Sequence, residues 1–177
     1  KGMYQFQAGK PGKLRVQLLG CGSIFREVMA GADLLAEDWG VQSDLWSCPS
    51  FNELHRDIVE VEHWNRLHPE ETPRKSHVEQ CLAKTTGPVI AATDYVKRFA
   101  DQIRAAVPRR YTVLGTDGYG RSDFRKALRS HFEVDRYHVA VTALKSLADE
   151  GEIPTKQVAK AIRQYGIDPE KTNPLYA

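Results

Sequence analysis

Apolar and polar positions follow two periods along this chain, and the switches between them mark out its elements. Leu14-Arg15-Val16-Gln17-Leu18-Leu19 reads as a strand, Gly20-Cys21-Gly22-Ser23 as a tight turn, and Ile24, Val28, Ala32 and Leu35 then recur at helical spacing. Ser23 is the expected N-cap of that helix and Gly40 its stop. A second unit repeats the pattern: Val41 to Cys48 predicts a strand, and Ser50 with Glu53 three residues on predicts a capping box for a helix along Phe51, Leu54, Ile58 and Val61. Asn65 to Thr86 reads as a long loop with a short helix near Val78 to Ala83. Pro88 to Thr93 predicts a third strand, capped by Asp94 into a helix through Phe99 and Ile103 that Pro108 ends, and Tyr111 to Leu114 predicts a fourth.

Strands alternating with helices through short turns indicate a mainly parallel sheet covered on both faces. The last third differs: helical patterns on Phe124 to Phe132, Arg136 to Glu150 and Thr155 to Tyr165 are stopped by Gly151 and Gly166, and no strand follows. Residues 1–13, with Gly9, Pro11 and Gly12, read as an extended arm from a preceding domain, and residues 14–177 as the folded unit. Because the chain starts Lys1-Gly2-Met3, a piece of a longer protein is expected.

Composition narrows the function classes. With 177 residues, 41% hydrophobic and 27% charged, one globular domain is expected. Lys plus Arg number 25 and Asp plus Glu 23, a net charge of +2 that does not suit a dedicated nucleic-acid binder. No apolar run is long enough for a membrane span, so a cytoplasmic chain is expected. Three widely spaced cysteines, Cys21, Cys48 and Cys81, suit reduced thiols better than a disulfide framework. Charge is uneven: Lys97 to Arg136 holds ten Lys or Arg against five acids, whereas Glu53 to Glu79 is dense in acids. An acidic face can select a basic protein module.

Candidate chemistry is sparse. Gly115-Thr116-Asp117-Gly118-Tyr119-Gly120-Arg121-Ser122-Asp123 lies between a strand and a helix, where Gly115, Asp117, Gly118, Gly120, Arg121, Ser122 and Asp123 make an interface or ligand loop. One reading is a phosphate or carboxylate site on Arg121 and Ser122. The other is a turn whose three glycines supply positive φ while Ser122 or Asp123 caps the helix. The glycines match neither the dinucleotide fingerprint nor the phosphate-binding loop, which also leaves a free-standing oxidoreductase without its motif. Cys21 and Cys48 fall near strand ends, yet with no His or Asn partner in a recognisable motif they read as small buried hydrophobes. His55, His63 and His68 lack the i, i+4 spacing of a helical metal site. No nucleophile, base and orienting group come together.

Five blocks in order resemble a known family. Val16-Gln17-Leu18-Leu19-Gly20-Cys21-Gly22-Ser23, Arg66-Leu67-His68-Pro69-Glu70-Glu71-Thr72-Pro73-Arg74, Ala92-Thr93-Asp94-Tyr95, Val113 to Asp123 and Phe132-Glu133-Val134-Asp135 look like the C-terminal domain of the homodimeric pyruvate dehydrogenase decarboxylating component, as does the ending Asn173-Pro174-Leu175-Tyr176-Ala177. Phe124 departs from it, standing where a small polar residue is expected. The resemblance implies a transketolase C-terminal-domain-like α/β fold, a mostly parallel five-stranded sheet with one antiparallel strand and helices on both faces. The strand missing from the four above is then expected in the opening arm or the loop after Asn65.

The resemblance also implies a thiamine-diphosphate enzyme of central carbon metabolism, feeding from glycolysis, whose other domains hold thiamine diphosphate and Mg²⁺. That enzyme oxidatively decarboxylates pyruvate and acetylates the lipoyl group of dihydrolipoyl acetyltransferase. By itself this chain is expected to hold no cofactor or metal and no catalytic residue. It would contribute homodimer packing, contacts to the preceding domains of the same chain, and docking of the acyltransferase's basic subunit-binding domain. Glu60, Glu62, Glu70 and Glu71, with the Ala177 carboxylate, are the candidate docking acids; nucleic acid and membrane are not expected partners. The alternative is a regulatory module that binds a phosphorylated metabolite at the Gly-rich loop.

Overall fold

A computed structural model describes residues 1–177. Five strands, β1 (Tyr4–Gln7), β2 (Leu14–Gly20), β3 (Val41–Ser47), β4 (Val89–Ala92) and β5 (Tyr111–Leu114), form one sheet in the order β1-β3-β2-β4-β5. β3, β2, β4 and β5 run parallel, with Leu18 opposite both Leu45 and Ile90, and β1 pairs antiparallel with β3. The fifth strand thus lies in the opening arm, where Tyr4–Gln7 pairs with the sheet edge.

Helices α1 (Phe25–Trp39), α6 (Arg136–Asp149) and α7 (Thr155–Gln164) cover one face; α2 (Phe51–Leu67), α3 (His77–Leu82) and α4 (Lys97–Asp101) cover the other. Side-chain alternation along the strands feeds both layers. Leu18, Leu45 and Ile90 enter the core beneath α1 and α6, and Leu19, Trp46 and Ala91 enter the core beneath α2. The remaining helix, α5 (Arg125–His131), has no buried residue and lies beyond the end of β5.

Ends of elements explain most departures from the sequence reading. Gly40, Gly151 and Gly166 stop their helices in the left-handed region, with φ of 65°, 78° and 65°. Ser23 is not an N-cap: it sits in a 3-10 turn, Gly22–Ile24, and its hydroxyl donates to Asp94 Oδ2 at 3.3 Å. Ser50 Oγ does accept from the Glu53 amide, but the Glu53 carboxylate turns away to Arg56 at 2.7 Å, so the box is half made. A complete capping box forms at Ser76 and Glu79 instead. Asp94 does not cap α4, which is shorter than expected and begins after Val96.

One polar cluster lies inside the apolar layer under α2. Gln17, 0% exposed, donates to Asp44 Oδ2 at 2.7 Å and to the Thr86 carbonyl at 3.1 Å, while its Oε1 accepts from Trp46 Nε1 at 2.8 Å. Asp44 Oδ1 takes the Gly9 amide and Arg15. Every atom of the Gln17 amide is therefore partnered, which is the condition for burying it. The cluster ties the arm, the sheet and the segment before β4 together. No helix is long and apolar enough to cross a membrane.

Candidate functional site: the carboxyl edge of the sheet

In a parallel sheet the loops at the carboxyl ends of the strands carry ligands and contacts, above all where the strand order reverses. Here the reversal falls between β2 and β4. A cavity of about 220 Å³ lies there, lined by Ser23, Asp94 and Thr116 together with Arg125, Leu128 and Phe132, among others.

The Gly-rich loop closes this edge. Asp117 reaches back to cap α4, accepting the Lys97 amide at 2.8 Å. Thr116 donates its hydroxyl to the Asp94 carbonyl at 2.8 Å, and its amide bonds the Tyr95 carbonyl. Of the three glycines only Gly118 takes positive φ, 100°, and a Cβ there would come within 2.2 Å of the Pro174 carbonyl oxygen. Gly115 is tight for another reason, since its Cβ would meet the Tyr95 carbonyl and the Lys97 backbone. Gly120 is unconfined. Neither Ser122 nor Asp123 caps α5: Phe124 occupies that position and Asp123 Oδ1 accepts the Phe124 amide. The loop is thus organised by its own backbone and by the C-terminal segment, and Arg121, Ser122 and Asp123 stand exposed beyond it.

The same edge is unusually apolar for a free surface. Tyr119, Phe124 and Tyr176 are 81%, 71% and 79% exposed, and Tyr95, Val96 and Leu175 are exposed beside them. The contacts of Gly118 with Pro174 and of Thr116 and Gly115 with Tyr95 join these segments into one surface.

The thiols are placed for packing. Cys21 and Cys48 follow β2 and β3 and are buried, and Cys81 is half-buried on α3; all three are free. Burial pushes all three thiols up, and for Cys21 the neighbouring Asp94 charge adds to it, so none is a ready thiolate. Two of the three candidate histidines also go to structural partners. His55 Nδ1 faces the Gln102 carbonyl at 3.1 Å, His68 stacks on Trp64 with ring centroids 4.3 Å apart, and His63 is exposed. No three His, Cys, Asp or Glu side chains converge on a metal position. At the carboxyl edge Asp117 is engaged by the Lys97 amide.

The candidate docking acids divide between two places. Glu60 and Glu62 on α2 and Glu70 and Glu71 just after it are all exposed, and none makes an ion pair. α2 starts at the carboxyl edge and runs away from it for 17 residues, roughly 25 Å at 1.5 Å each. Ala177 follows Pro174, which packs against Gly118 at the carboxyl edge, so it lies apart from Glu70 and Glu71.

Sequence reasoning passed over the most strongly bound acid. Glu27 on α1 is 5% exposed and accepts from Arg129 Nη1 at 2.8 Å, Arg136 Nε at 3.0 Å, Arg136 Nη2 at 3.2 Å and the Arg136 amide at 3.1 Å. Burial alone would push its carboxyl up; the Arg136 hydrogen bonds and charge, with Arg129 behind them, outweigh burial and hold it below the ordinary range. Its signal was positional: Glu27 falls three residues after Ile24 and one before Val28, inside the apolar stripe of α1.

Pyruvate dehydrogenase E1 components of Cupriavidus necator and Escherichia coli K12 are 63% and 51% identical over 177 and 178 residues, covering 99% and 100% of this chain. The chain spans about one-fifth of the length of these curated relatives, 20% in each case. A split-gene transketolase, described as an inactive beta4 tetramer, superposes over 82% of this chain and 42% of its own with TM-score 0.58 and 14% identity. Transketolase from Campylobacter jejuni does so over 81% of this chain and 18% of its own, with TM-score 0.53 and 20% identity. These neighbours share the fold. The family model for the transketolase-like TK C-terminal domain matches residues 2–135, and the chain belongs to that family.

Proposed function

We propose that this chain is the C-terminal assembly domain of a pyruvate dehydrogenase E1 component. The observation behind this reading is the set of exposed Tyr95, Val96, Tyr119, Phe124, Leu175 and Tyr176 on the carboxyl-edge segments, in a sequence that matches one-fifth of much longer relatives. Large aromatic side chains left in water together mark a surface meant to be covered. The cover in this reading is the rest of the E1 chain and its dimer partner. The complete enzyme then decarboxylates pyruvate and acetylates the lipoyl group of dihydrolipoyl acetyltransferase in the cytoplasm. Thiamine diphosphate with Mg²⁺, held by the other domains, supplies the carbanion chemistry. This chain's role is to hold those domains in register.

The test is sedimentation velocity and decarboxylase activity of the intact protein carrying Tyr119→Ser, Phe124→Ser and Tyr176→Ser together. Dissociation of the dimer with loss of activity is expected. A variant that stays dimeric and fully active overturns the reading.

A docking role follows from the unpaired Glu60, Glu62, Glu70 and Glu71, which leave a run of uncompensated carboxylates facing water. They suit the basic subunit-binding domain of the acyltransferase, steered electrostatically. Glutamine at all four positions should weaken that association and flatten its salt dependence; unchanged affinity and salt dependence would remove the docking role.

A further inference from the structure

A second cleft, of about 690 Å³, opens between α5, the start of α6 and the turn after α7, and it shares Arg125 and Arg129 with the cavity at the strand reversal. Its walls carry five cations, Arg125, Lys126, Arg129, Arg136 and Lys171, against the carboxylates of Glu27, Asp135 and Asp168. Glu27 and Asp135 are committed to side-chain partners, whereas Asp168 is exposed and accepts only a backbone amide, so the five cations face one uncompensated carboxylate. Glu27 is buried against two arginines, Asp135 caps α6 and holds His138 Nδ1 at 2.8 Å, and Asp168 takes the Glu170 amide. Lys171 is committed as well, to the Ser130 and His131 carbonyls that end α5.

What remains is positive and oriented. Arg125 and Lys126 have no carboxylate within ion-pairing distance. Arg136 spends Nε and Nη2 on Glu27, which leaves Nη1 free at the cleft. Glu27 thereby acts as an anchor: it fixes the planes of two guanidiniums, of which Arg129 turns Nη2 to the Ser23 carbonyl at 3.5 Å and Arg136 keeps Nη1 unpartnered. Fixed guanidinium forks match the oxygens of a phosphate group. A cleft of this size exceeds what a bare anion fills and falls in the range of small-molecule sites. Tyr137 and Tyr165, their ring centroids 5.3 Å apart, line the wall and give the organic part an aromatic neighbour.

We propose that this cleft binds a small organic phosphate, its phosphate group held by Arg125, Lys126 and Arg136. The site is the α5–α6 cleft and not the Gly-rich loop, whose Arg121 does not line it.

Calorimetric titration of inorganic phosphate, a sugar phosphate and a nucleoside triphosphate into the intact protein tests this. Saturable binding of at least one organic phosphate, one per chain and tighter than inorganic phosphate, is expected. Arg125→Ala with Lys126→Ala, both on the exposed side of α5, should weaken it at least tenfold while Arg121→Ala leaves it unchanged. Absence of saturable binding by any of the three, equal binding of inorganic phosphate, retention by the double variant, or loss with Arg121→Ala overturns the proposal. So does a double variant that no longer assembles, since the cleft is then a subunit contact.

Discussion

The Lys97 amide donates to Asp117 Oδ1 at 2.8 Å across 20 residues, so the loop after β5 caps the helix after β4. Two adjacent carboxyl-edge loops therefore behave as one piece. Replacing Asp117 by Ala should cost about 1 kcal/mol, the usual worth of an N-cap, and by Asn much less. Urea midpoints read the cost, and amide exchange at Lys97 should accelerate in the Ala variant alone.

Glu27 predicts a pH dependence. Its carboxyl is held below the ordinary range when folded and returns to about 4.3 when the chain unfolds. Between those values the unfolded state binds the extra proton, so this contribution to stability is present above about pH 4.3 and is lost as pH falls through the folded value. Glu27→Gln should lower stability at pH 7 by about 2 kcal/mol, since it leaves two partly exposed arginines short of a partner. Thermal melts from pH 3 to 7 should show the variant with the shallower slope.

Gly118 and Gly120 should part company. Alanine at 118 combines φ of 100° with a clash against the Pro174 carbonyl, and should free the last five residues for carboxypeptidase. Alanine at 120 meets nothing within 4 Å and should leave digestion unchanged.

Gln17→Leu keeps the volume but strands Asp44 Oδ2, the Trp46 indole N–H and the Thr86 carbonyl. A loss of about 3 kcal/mol is expected, read by denaturant unfolding followed by far-ultraviolet circular dichroism.

The alternation of strand and helix was legible because each strand is an apolar run and each helix repeats an apolar stripe; β5 at Tyr111–Leu114 falls where the pattern puts it. What local pattern misses is partnership across distance. Ser23 and Asp94 both look like helix caps, yet they bond each other over 71 residues, and the cap of α4 comes from Asp117. β1 was hidden because it is short: Tyr-Gln-Phe-Gln alternates as a strand does, but over only 4 residues beside Gly9, Pro11 and Gly12, and none of them is buried. Glu27 was missed for the opposite reason, because an acid inside an apolar stripe is averaged away by periodicity. The Gly-rich loop drew attention by composition, whereas the cations that line a cleft are spread over α5, α6 and the C-terminal turn and meet only in the fold.

The strand order has a consequence in time. β2 meets β3 across a single helix, but the Gln17 to Thr86 bond that leads into β4 spans 69 residues. Closure entropy grows with the length spanned, so the β2–α1–β3 unit is assembled first and serves as the template. On the ribosome the open edge of β2 stays unpaired until Val89 has emerged, and the outer edge of β4 stays unpaired until Tyr111 has. The interval between those two points of synthesis is when this chain exposes an apolar strand edge and most needs protection from its neighbours.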